Sequence, residues 1–241
     1  MRGLILGAAL LGAANAHANA VKVERNSAAL EFSYSYPAEA AAIPALNRRF
    51  QADLTTQYRK ALKLGLEDLK IYKQEKRGGI SDFFSMEWTT AGQTPRLLSL
   101  QNQLGTLTGG AHPNTSYGSL LWDRRIAREI KIESLFLRSG AFPKLTRTPY
   151  CAALDAERNK RRGGEKLDLP DFNACPKFSE LAISPVDKDR NGRFDRIAFV
   201  ASPYTAGPYT EGEYEIALPV TSQLIAAVRP EYRNSFERQR Q

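Results

Sequence analysis

The chain holds two histidines, His17 and His112, and two cysteines, Cys151 and Cys175, which bounds its imidazole and thiolate chemistry tightly. His112 sits in the stretch TLTGGAHPNTSYG, residues 106–118. A catalytic triad needs a nucleophile, a histidine and an orienting carboxylate gathered in space. A zinc site needs several His or Cys ligands, more than one imidazole beside a cysteine pair can supply. Gly109 and Gly110 can take backbone angles closed to other residues, and Pro113 pushes His112 towards an extended conformation. The stretch reads as a tight strand connection with His112 in a structural role, bonded to nearby backbone or carboxylate. Contact with a ligand is the competing reading.

Hard-cation chemistry has one candidate, DKDRNGRFD at residues 187–195. Asp187, Asp189, Asn191 and Asp195 fall at positions 1, 3, 5 and 9 of a calcium loop, Gly192 at its turn, and the Arg193 carbonyl at the seventh position. The twelfth position is Ala198 where a bidentate glutamate is expected, and the flanks read as strands, so this is not an EF-hand. Asn-Gly is itself a hairpin signal, which leaves a polar turn as the alternative. Calcium, if bound, is the one expected cofactor.

Two further stretches offer binding chemistry. RNKRRGGEKLD carries Arg158, Lys160, Arg161, Arg162 and Lys166; it reads as a solvated face, or as an attractor of anionic envelope polymers. PYTAGPYTEGEY places Tyr204 and Tyr209 between glycines and prolines, a composition common in recognition loops. Tyr204, Tyr209, Asn114 and Ser116 are the binding candidates; a turn with core-packed tyrosines is the competing reading. For an enzyme, Asp123 and Glu211 are the loop carboxylates to test as an acid/base pair, although nothing in the sequence places them together.

These residues sit in a chain of 241 with 34 Lys and Arg against 26 Asp and Glu, a net charge of +8. It opens MRGLILGAALLGAANAHANA: a lone arginine, a short apolar run and an A-x-A pattern, the signature of a secretory signal peptide over residues 1–18, or to 20. The expected product, residues 19–241, is one domain or two lobes, about 21–125 and 126–241, without a transmembrane anchor, in the periplasm or secreted. Its basic balance favours anionic surfaces, and export argues against nucleic acid. In an oxidising compartment Cys151 and Cys175 read as a disulfide, with two buried free thiols as the alternative.

The supporting elements follow from periodicity. LEFSYSYP alternates, with Leu30, Phe32, Tyr34 and Tyr36 on one face, a half-buried strand. From Pro44, Leu46, Phe50, Leu54, Tyr58, Leu62, Leu66, Leu69 and Tyr72 recur every three or four residues, predicting a long amphipathic helix that ends before Gly78-Gly79. Period-2 runs around Phe84, Leu98 and Leu120 predict antiparallel strands. KIESLFLRSGAFPKL marks a short helical turn, Pro149 to Arg162 a second helix, and LAISPV, RIAFV and EYEIALPV a last group of strands before a helix at TSQLIAAV. Strands clustered between separated helices predict an α+β fold: a long N-terminal helix on an antiparallel sheet, then a second antiparallel α+β lobe.

The order FSYSYP, long helix, TGGAHPNTSY, IESLF, PYTAGPYTEGEYEIALP resembles the RsiV-like family of exported domains of unknown function, over roughly residues 28–232. Its members include the lysozyme-binding extracytoplasmic domain of an anti-sigma factor and the non-catalytic domains attached to the peptidoglycan deacetylase PdaC. The resemblance implies a non-enzymatic binding module at the cell envelope, with cell-wall polysaccharide or a lysozyme-like protein as partner. A hydrolase with paired carboxylates, and a structural envelope protein without a specific ligand, are the alternatives.

Overall fold

The computed structural model describes residues 19–76, 81–109 and 112–239; the expected signal segment, Gly78-Gly79 and Gly110 lie outside them. Among the described residues the chain forms two sheets. The first is six-stranded and runs in sequence order: β1 (Val21–Asn26), β2 (Leu30–Tyr36), β3 (Asp82–Gln93), β4 (Leu97–Leu107), β5 (Asn114–Asp123) and β6 (Arg128–Ile130). The second contains β7 (Leu181–Val186), β8 (Arg196–Ala201) and β9 (Tyr214–Pro219). The short α1 (Ala38–Ala41) and the long α2 (Pro44–Gln74) link β2 to β3. α3 (Ala141–Arg161) precedes the second sheet, and α4 (Ser222–Ala227) and α5 (Pro230–Arg233) follow it. The architecture is α+β, with the long helix on the first sheet as expected.

Alternation in β2 and the four-residue stripe of α2 meet in one core. Leu30, Phe32, Tyr34 and Tyr36 are buried against Leu46, Phe50 and Leu54 of the helix. The two buried tyrosines donate to α2 as well, Tyr34 to Asp53 at 2.7 Å and Tyr36 to Asn47 at 2.6 Å, so their hydroxyls are satisfied where they enter the core. Farther along, the stripe thins: Leu66 is 46% exposed. The helix nevertheless stays close to the sheet, because Gly65 lies against the Ala29 carbonyl, which accepts a bond from the Asp82 amide.

The opposite face of the first sheet meets the second sheet. Gln101 of β4 donates to Ser184 of β7 at 2.6 Å, and small buried residues, Ser99, Ala182, Ser184 and Ala198, let the two sheets approach. Gly92, at a bulge in β3, abuts the Asp187 backbone at the end of β7, whose amide donates to Ala91. Beyond the second sheet lies a second core, in which Phe142, Tyr150 and Leu154 of α3 pack on Phe199, Tyr214 and Ile216.

Three features depart from the sequence reading. β2 and β3 pair in parallel, with Leu30 opposite Asp82, because α2 carries the chain back to the starting end of the sheet. α3 begins at Ala141 rather than Pro149, so the proline sits inside the helix. Burial of Phe142, Thr146 and Tyr150 on one stripe outweighs the lost proline hydrogen bond. β1 and β6 extend the first sheet beyond the strands expected, β1 on the short alternation of Val21 and Val23 and β6 with three residues.

Two stability measurements check this packing. A methyl group on Gly65 would lie 2.2 Å from the Ala29 oxygen. Gly65→Ala, which in an open helix gains up to ~1 kcal/mol, is therefore expected to lose about 2 kcal/mol by overpacking in urea denaturation. Asp82, 3% exposed, has its carboxyl pushed up to about 6 by burial and by the neighbouring Asp68 carboxylate. The native state thus binds this proton more tightly than the unfolded chain, and its stability is full below pH ~4 and falls as pH rises to ~6. Asp82→Asn is expected to stabilise the fold by about 2 kcal/mol at pH 8 and by nothing at pH 4.

Candidate functional site

At one end of the molecule the turn between β4 and β5 meets the loop between β8 and β9. The exposed His112 ring stacks on Tyr209, with centroids 4.1 Å apart, and Tyr209 lies 5.7 Å from Tyr204. Tyr209 donates from its hydroxyl to the Pro113 carbonyl at 2.8 Å, and His112 Nδ1 donates to the same oxygen at 2.9 Å. The amide of Tyr117, the fourth residue of β5, donates to Ser202 Oγ at 3.0 Å. Three rings from two loops therefore form one surface ladder, bonded at its base. Gly109 holds a positive φ of 62° in the turn, with the Tyr72 hydroxyl packed close against it.

The structure brings Tyr204 and Tyr209 together. Asn114 and Ser116 alternate along β5 with Tyr117 and share the face of Leu120 and Trp122, which is the face that α2 covers. They stand apart from the ladder. His112 joins it, a partnership with no local signal in the sequence, since Tyr209 is distant in the chain.

The basic run is a solvated face only in part: Lys160, Arg161 and Lys166 are exposed, whereas Arg158 and Arg162 turn inward. Arg158 is 3% exposed and continues the stripe of Phe142, Thr146, Tyr150 and Leu154 at four-residue intervals. Its guanidinium donates to the carbonyls of Ala206 (2.9 Å), Asn173 (3.2 Å) and Ala174 (2.9 Å) and to Asp155 (3.1 Å). Arg162 grips Glu211 through two 2.8 Å bonds and reaches Asn173 Oδ1 at 3.0 Å. Arg161 donates to the carbonyls of Glu211 and Glu213 and lies 4.0 Å over the Tyr214 ring. The Cys151–Cys175 disulfide ties the same segment to α3. The run thus holds two loops in place, leaving Lys160 and Lys166 exposed to solvent.

Asp123 and Glu211 belong to separate arginine networks. Burial pushes the Asp123 carboxyl up, but bonds from Arg96, Tyr232 and the Arg125 amide prevail and hold it below the usual carboxylate range. The Arg162 fork beside Glu211 keeps that carboxyl low as well, against the cost of burial, with Tyr214 donating at 2.6 Å. Each carboxylate has its oxygens engaged and shares no partner with the other.

In the loop at 187–195 the carboxylates hold backbone. Asp187 accepts from the amides of Asn191 (3.0 Å) and Gly192 (2.9 Å), and Asp195 from the Lys188 amide (2.9 Å). Asn191 donates to Asp189 and to Glu237, and its Oδ1 accepts from the Arg193 amide at 3.0 Å. Among the described residues no three acidic, His or Cys side chains stand together in an arrangement that could hold a metal. Glu237 reaches this loop from the C-terminal segment, which no local pattern in the sequence announces.

With this geometry in place the comparisons fall into order. Residues 23–115 match the family model described as Deacetylase PdaC, and no curated protein matches the chain. A DUF3298 family protein from Pseudomonas aeruginosa PAO1 has a similar structure at a TM-score of 0.59 and 16% identity, covering 92% of this chain and 98% of that one. A member of the same family from Bacteroides fragilis NCTC 9343 superimposes at a TM-score of 0.50 and 16% identity, covering 90% and 95%. The matched segment contains His112 but ends before the loops that carry Tyr204 and Tyr209. The chain combines a PdaC-like N-terminal part with, over about nine-tenths of its length, the fold seen in DUF3298 proteins.

Proposed function

We propose that this chain is an exported, non-enzymatic binding module of the cell envelope, and that its ligand is the peptidoglycan wall. The observation that carries the reading is the surface ladder of His112, Tyr209 and Tyr204, whose tyrosine loop is held by Arg158 and Arg162 and bonded to the His112 turn through Tyr209. Aromatic rings on rigid loops offer contact area at low ordering cost. The signal-like N-terminus and the disulfide agree with an oxidising compartment. Engagement of Asp123 and Glu211 by their own arginines supports binding over paired-carboxylate hydrolysis.

Co-sedimentation with isolated sacculi tests the reading against its competitor, a lysozyme-like protein. Sacculi are expected to carry the protein down, less so as salt rises, because part of the attraction comes from net positive charge. His112→Ala and Tyr209→Ala are each expected to weaken binding about tenfold, the order of one aromatic contact. Tight capture of a basic lysozyme with no retention on sacculi would assign the surface to a protein partner instead.

For the loop at 187–195 we propose calcium binding of at most millimolar strength, since a metal would have to displace the amide bonds that Asp187 accepts. In calcium-free buffer Asp187→Ala is expected to cost about 1–2 kcal/mol in thermal unfolding by orphaning two amides. Stabilisation of the parent protein by micromolar calcium, abolished in that variant, would show an ion held tightly there.

A further inference from the structure

Tyr204 has a second neighbourhood. Besides closing the ladder, it lines a groove of about 440 Å³ together with Asp171, Phe172, Cys175, Lys177 and Glu180. That volume falls in the range of small-ligand sites, roughly 300–1,000 Å³. The ring is 51% exposed although its backbone sits at φ 69°, a left-handed conformation that side chains other than glycine seldom take. Such strain is a cost the fold carries at this residue. The strain is therefore retained together with the placing of an aromatic face at the groove.

The groove wall is built before any ligand arrives. The carbonyls of Asn173 and Ala174 accept from Arg158, those of Cys175 and Pro176 accept from Arg147, and Cys175 is bonded to α3 through Cys151. Four successive backbone oxygens are thus engaged by the protein itself. The polar side chains that line the groove beside Tyr204 are the exposed Asp171, Lys177 and Glu180 and the half-buried Thr205. Glu180 accepts from the Lys177 amide at 2.6 Å, which fixes its position at the rim.

The ligand chemistry follows from this set. A flat aromatic face takes the C–H face of a pyranose ring, two carboxylates accept from ring hydroxyls, and an ammonium donates to an amide carbonyl whose methyl can rest on Phe172. Two carboxylates repel a polyanion, and a purely aliphatic peptide side chain would leave three charged groups unused. We infer that the Tyr204 groove is a saccharide subsite for neutral, N-acetylated amino-sugar strands. The inference rests on the wall-binding reading and narrows it to the glycan rather than the peptide stems.

Titration of the processed protein with N-acetylglucosamine tetrasaccharide, followed by NMR and run beside sacculus co-sedimentation, tests it. Saturable shifts are expected at residues around 171–180 and 204. Tyr204→Ala and Asp171→Ala are expected to weaken the tetrasaccharide at least tenfold, whereas Tyr204→Phe keeps it, because stacking needs the ring and not the hydroxyl. Tyr204→Gly is expected to lose the sugar while melting no lower than the parent, since glycine relieves the strained φ; this separates loss of ligand from loss of fold. Sacculus binding without any tetrasaccharide shift would overturn the subsite and leave the wall-binding module standing. No binding to either would overturn both.

Discussion

The loop that carries Tyr204 and the segment that lines its groove depend on one buried cation. Arg158 is 3% exposed and sends its guanidinium between the loop that leaves β8 and the loop that leads into β7, bonding Ala206 in one and Asn173 and Ala174 in the other. A desolvated charge of this kind is tolerable only when oxygen atoms surround it, and removing part of the set costs about 3–5 kcal/mol. The loops therefore cannot drift independently of α3 without orphaning that charge. Arg162 repeats the logic one turn later by gripping Glu211, and Gly207 leaves room for that carboxylate, which would lie 2.0 Å from a side-chain carbon there. Loop positions fixed in this way lose little freedom on binding, which is why a small set of exposed rings can suffice for recognition.

Most elements of the fold are legible in local pattern. The alternation of Leu30, Phe32, Tyr34 and Tyr36 gives β2, and the stripe from Leu46 gives α2, because each face is decided by burial against one neighbour. The parallel pairing of β2 with β3 is not legible: alternation looks the same in either direction, and direction is set by the helical crossover. Pro149 misplaced the start of α3 because proline favours the first helical turn, whereas here Phe142 and Thr146 extend the buried stripe behind it.

The candidate site was less legible than the fold, for a related reason. Composition marks RNKRR as a charged run and hence as surface, but register decides which side chains face inward. Arg158 falls on the stripe of Tyr150 and Leu154, and that spacing of four is visible in the sequence once the helix is started at Ala141. Tyr204 and Tyr209 were marked by their loop composition, and they do lie together. Their partners, His112 from the first sheet and the Phe172 groove from the disulfide-bonded segment, come from parts of the chain joined only by tertiary packing.

The same internal use of arginine changes what a net charge of +8 means. Arg96 is bound to a fully buried Asp123, Arg147 and Arg158 to backbone carbonyls, and Arg162 to Glu211. These cations hold the fold together; Arg158 is buried and Arg96 and Arg162 are largely covered, whereas Arg147 stays exposed. What remains for long-range attraction is spread over scattered lysines and arginines, and such a field concentrates an anionic polymer near the protein without fixing where or how it sits. Orientation has to come from short-range contacts, and on this surface those are offered by rings and the side chains at the rim of the groove. Under the proposed wall-binding function, charge governs how fast and at what salt the protein would reach its ligand, while the loop clamped by Arg158 governs which short-range contacts it offers there.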